Sequence, residues 1–67
     1  MELVKTNLIS KNNTKNGFYL YAPIVKLNGE YFFCESIKTE QPVKGFPSSE
    51  LTIKRQIPRE FLQANGI

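Results

Sequence analysis

The sequence predicts a small, β-dominated α+β domain: an antiparallel sheet or barrel of three to four strands on a central hairpin, with a short helix near the C-terminus. Three observations carry this. Residues 18–37 hold two apolar runs separated by Asn28-Gly29. Residues 51–57 alternate apolar and polar, the period of a half-buried strand. Pro58 and Asn65-Gly66 bracket a short segment with the punctuation of a helix.

The first strand is expected over residues 3–9, with Leu3, Lys5 and Asn7 on one face and Val4, Thr6 and Leu8 on the other. Residues 10–17 are polar and rich in Asn and Lys, and read as a loop. The hairpin is the clearest element. Asn28 and Gly29 tolerate the positive φ of a type I′ turn, whose twist suits paired strands. That turn sets Leu27 opposite Glu30, Val25 opposite Phe32, Ile24 opposite Phe33 and Leu20 opposite Ile37. Phe18, Leu20, Ala22, Ile24, Tyr31, Phe33 and Ile37 then share one face, read as the core face. The other carries Tyr19, Tyr21, Val25, Leu27, Phe32 and Cys34, with Lys38 beyond them. Pro23 falls at a hydrogen-bonded site opposite Cys34 but has no N–H, so a break or bulge is expected at Ala22-Pro23, with the preceding segment pairing elsewhere.

Residues 39–50, with Pro42, Gly45 and Pro47, read as a loop whose Val43 and Phe46 fold back as a thin lid. A strand over 51–57 and a helix over 58–64 follow. Glu60 suits the positive end of the helix dipole, and Phe61 and Leu62 form the buried side. The span from Ile57 to Ile67 resembles the strand-to-helix element of swapped-hairpin DNA-binding proteins of the AbrB/MazE type. Generic capping chemistry gives the same spacing, and no residue role is carried over.

Sixty-seven residues make one domain, which buries only about 60% of its unfolded surface. The usual supports for so small a core are disulfides, metal or self-association. Cys34 has no partner for an intramolecular disulfide, and without His the chain has no zinc ligand set. A homodimer is the remaining device. Nine Lys and Arg against six Glu give +3, which permits an acidic partner without requiring one. No apolar leader or spanning segment is seen, so a cytoplasmic protein is expected.

An enzyme is not expected. There is no His or Asp, no paired-acid spacing, no glycine-rich phosphate loop and no sign of a cofactor. Cys34 reads as an apolar strand residue, and Glu35, opposite Ala22, either as a buried acid or, more often for such a Glu, as a sheet-margin residue that reaches water or a Lys. Two binding readings follow. The first is a non-enzymatic interaction module, an adaptor or inhibitor, docking a protein partner or a second copy through the aromatic face or a strand edge. Tyr19, Tyr21 and Phe32 are its anchors. The alternative is a small nucleic-acid-binding protein that adds Lys38, Lys54, Arg55 and Arg59 to the sheet aromatics.

Overall fold

The computed structural model describes residues 1–12 and 17–67. Strands β1 (Glu2–Lys5), β2 (Leu8–Asn12), β3 (Phe18–Tyr21), β4 (Ile24–Leu27), β5 (Glu30–Cys34), β6 (Ile37–Thr39) and β7 (Ile53–Gln56) precede helix α1 (Arg59–Ala64). They form two small antiparallel sheets, β1-β4-β5-β7 and β2-β3-β6, and neither closes into a barrel.

The two sheets share a meander. The chain runs β1 into β2, back through β3 and β4, and out again through β5 and β6, and neighbouring runs pair in both sheets. Each run breaks at one level: Thr6-Asn7, Ala22-Pro23 and Glu35-Ser36. The break at Pro23 is the expected one. Its carbonyl accepts the Cys34 N–H at 2.8 Å, and it returns no donor. Asn7 takes φ 56°, a left-handed conformation that Asn tolerates. It stays pinned to Ala22 by a bond in each direction: the Ala22 N–H donates to the Asn7 carbonyl, and Asn7 Nδ2 donates to the Ala22 carbonyl, both at 3.0 Å. The result is one three-stranded sheet creased across its middle, with β7 added to one half.

The hairpin register is as the turn requires, from Leu27↔Glu30 to Ile24↔Phe33. Asn28 and Gly29 both have positive φ, 53° and 81°. Beyond the crease the register slips by one, so Leu20 faces Lys38 and Tyr21 faces Ile37. The first strand is two strands, and β2 takes up residues 10–12 of the expected loop; residues 13–16 of that loop lie outside the described residues. Residues 39–50 end in a 3₁₀ turn at Ser48–Glu50. The helix closes with a Schellman pattern. Gly66 has φ 66°, its N–H reaches the Gln63 carbonyl, and the Ile67 N–H reaches the Leu62 carbonyl.

The core lies on the side read as the docking face. Val25, Cys34 and Leu51 are buried together, with Leu3, Phe32, Ile37 and Phe46 packed against them. Tyr21 is only 4% exposed. Its ring meets Phe46 edge-on at 5.5 Å, and its hydroxyl accepts the Val43 N–H at 3.1 Å. The 39–50 segment is thus a cover, held by an aromatic contact and a hydrogen bond. The opposite side is covered too, because α1 lays Phe61 edge-on to Phe33 at 5.1 Å, and Ile24 and Ile57 are buried there. Glu35 is exposed at the margin of the sheet and is not a buried acid.

Candidate functional site: a cationic cleft at the crease

A cleft of about 340 Å³ opens at the crease, on the Phe33 side of the sheet. Three structural causes build it. The crease separates Ala22 from Ile24, so the sheet floor dips where the two halves part. In β2 the pairing jumps from Leu8↔Tyr21 to Ser10↔Leu20, and the extra residue, Ile9, is turned out to 52% exposure. In β7 it jumps from Phe33↔Arg55 to Cys34↔Ile53, and the extra residue is Lys54. Bulges re-aim side chains beside sites. Here two from different strands bring Ile9 and Lys54 to one cleft.

Phe33 is the floor. Phe61 stands against one part of its ring, and the Arg55 guanidinium lies 5.3 Å from its centroid. The cross-strand pair Phe33↔Arg55 puts both side chains on one face, which is how a charged group comes to lie on a half-buried ring. Ile9 and Ala22 add apolar wall, and Lys54 adds a second cation. No carboxylate lines the cleft. An apolar aromatic floor under two positive charges suits a ligand with a flat apolar body and an anionic group.

The residues singled out from the sequence separate into three groups. Tyr21 is not available as an anchor, because it is buried under Phe46; Phe32 is half-buried, as Phe33 is, and packs against the Val25 and Cys34 core. The docking expectation is corrected for Tyr21, because the 39–50 segment covers it through Phe46 and Val43. It brings Leu51 in behind Phe46. Tyr19 is half-buried in β3, with the Lys11 ammonium 5.8 Å from its ring centre. Lys54 and Arg55 meet in the cleft. Lys38 moves to the cleft side of the sheet. The one-residue slip pairs it with Leu20, and its ammonium sits 4.5 Å from the centre of the Phe18 ring. Phe18, Leu20 and Ala22 alternate down that face into the cleft. Arg59 opens α1, exposed, and does not line the cleft.

Sequence reasoning missed Ile9, Phe33 and Phe61 as site residues. Phe33 had been read as core, and only the positive φ of Asn7 and the bulges, which leave no sequence signature, re-aim Ile9. Cys34 sits at the crease, buried, and that burial pushes its thiol pKa up. A thiol so placed is a poor nucleophile at neutral pH. Among the described residues no cluster of His, Cys, Asp or Glu could hold a metal, and no helix is long and apolar enough to cross a membrane. No protein-family model, curated protein or solved structure matches the chain.

Proposed function

We propose that this chain is a small non-enzymatic binding protein for nucleic acid, engaging it along the creased face that carries Lys38, Lys54 and Arg55. One observation carries the reading: two cations and two phenylalanines line a single cleft with no acidic residue among the described residues that line it, on the face where a third cation lies over a third phenylalanine. Cations tracking phosphates beside aromatic platforms are the general means of holding single strands.

Docking of a protein partner or a second copy is the weaker reading. Tyr21, one of its three anchors, is buried in the core, Phe32 packs against that core, and the strand edges are poor templates. β1, β2 and β7 each carry a bulge, and β6 has three residues with a lysine at its centre. Bulges, short strands and lysines are the devices by which sheets resist edge pairing.

The test is a fluorescence-anisotropy titration of short single-stranded and duplex oligonucleotides from low to moderate salt. With three phosphate-contacting cations, log K against log salt should slope at about −2 for single strands. An absence of binding at low salt, or affinity indifferent to salt, would refute the proposal.

A further inference from the structure

We infer that the crease cleft is a pocket for one unstacked base of a single strand. This inference deepens the proposed function and rests on it. The walls have the right character for a flat ring. Phe61 stands edge-on to the Phe33 floor at 5.1 Å, and the Arg55 guanidinium lies 5.3 Å from the centre of the same ring. Aromatic rings and guanidinium planes are both surfaces on which unpaired bases stack. Ile9, from the other half of the sheet, closes the pocket with an aliphatic lip.

The size also fits. At about 340 Å³ the cleft lies at the lower end of the range of small-molecule pockets, which starts near 300 Å³. That suits one base with its sugar. The charges lie at the rim. Lys54 is the residue that the β7 bulge pushes out of register, and it is exposed, as is Arg55. Phosphates on either side of an inserted base would meet these two groups. Lys38 on Phe18, further along the same face, would meet the strand as it leaves the cleft. A duplex, with its bases stacked, would reach the lysines and leave the phenylalanines unused.

The experiment compares three labelled probes against the full chain at low salt: an oligothymidylate, an abasic strand of equal length and charge, and an oligoglutamate peptide. An oligouridylate run in parallel separates DNA from RNA. The thymidylate should bind about tenfold more tightly than the abasic strand, the usual contribution of one base stacked on an aromatic side chain. Ile9→Ser, at an exposed position that leaves the core intact, should reduce that preference. Phe61→Ala should bring it close to unity, with circular dichroism confirming the fold. Equal binding of the intact and abasic strands would overturn the pocket while leaving backbone binding, and so the parent proposal, standing. Failure of both strands would remove both. Oligoglutamate binding as tightly as thymidylate would overturn the pocket in favour of an acidic peptide ligand.

Discussion

Replacing Tyr21 measures how much of this small fold hangs on the cover over its core. The residue is 4% exposed, packs edge-on to Phe46, and accepts the Val43 N–H through its hydroxyl. Deleting a buried aromatic ring costs about 3–5 kcal/mol. The ring pair with Phe46 adds about 1 kcal/mol. A domain of this length holds in total about 3–10 kcal/mol. Tyr21→Ala should therefore remove most of the stability, leaving a chain largely unfolded at 37 °C. Tyr21→Phe keeps the ring and strips the Val43 N–H of its acceptor, at about 1 kcal/mol, which lowers Tm by about 4–8 °C in a domain of this size. Urea unfolding followed by far-ultraviolet circular dichroism reads both. A Tyr21→Ala protein with the parent midpoint would refute the assignment of this face to the core, and with it the argument that removed Tyr21 from the candidate surface.

Three further outcomes follow. Cys34 should resist a disulfide thiol reagent in the native state and react at once in urea, and burial raises its pKa, so the folded chain holds the thiol proton more tightly than the unfolded one. The contribution of Cys34 to stability should thus be constant below pH 9, the ordinary thiol value, and fall as pH rises above it, with Cys34→Ala abolishing that part of the slope. Gly29→Ala should destabilise by about 1 kcal/mol, entirely through the backbone, because φ is 81° and a methyl there would meet open space. Deleting Lys54 should straighten the β5–β7 ladder without changing the face of any other residue, because Arg55 and Ile53 already pair with the adjacent Phe33 and Cys34. The deletion variant should fold, lose oligonucleotide affinity severalfold, and self-associate at high concentration in light scattering.

What the sequence made legible was local. The Asn28-Gly29 turn fixed four cross-strand pairs, the missing N–H of Pro23 fixed a break, and the Pro and Gly around residues 59–64 fixed a helix and its cap. Each rests on one residue's backbone chemistry. Which hairpin face is the core was not legible, because both are apolar. Placement of Leu51 and Phe46, far along the chain, decides it. The slip that moves Lys38 beside Phe18 follows from the crease: once Ala22-Pro23 leaves the ladder, the turn no longer counts the register beyond it. The cleft depends on two bulges, and a bulge is an agreement between two strands that neither records alone.

Bulges in this fold answer two demands at once, which explains why they fall where they do. The chain is thin, 40 × 27 × 18 Å, and its two sheets have four edge strands. Any straight apolar edge would be a template for a second copy. Val4, Ile9 and Lys54 are the unpaired extra residues of β1, β2 and β7, so each of those edges is broken near its centre. An extra residue cannot pair within the ladder, so its side chain is free to be aimed. At β1 the bulge does not serve the crease cleft: Val4 is exposed and is not among that cleft's lining residues. At β2 and β7 the bulges flank the crease, so the same irregularity that spoils the edge sets an aliphatic and a cationic side chain over the dip in the floor. If protection alone mattered, a lysine at each site would suffice. Ile9 at 52% exposure would then be a liability with no return. Its place at the lip of a cleft floored by Phe33 gives that exposed side chain a use if the cleft takes a ligand.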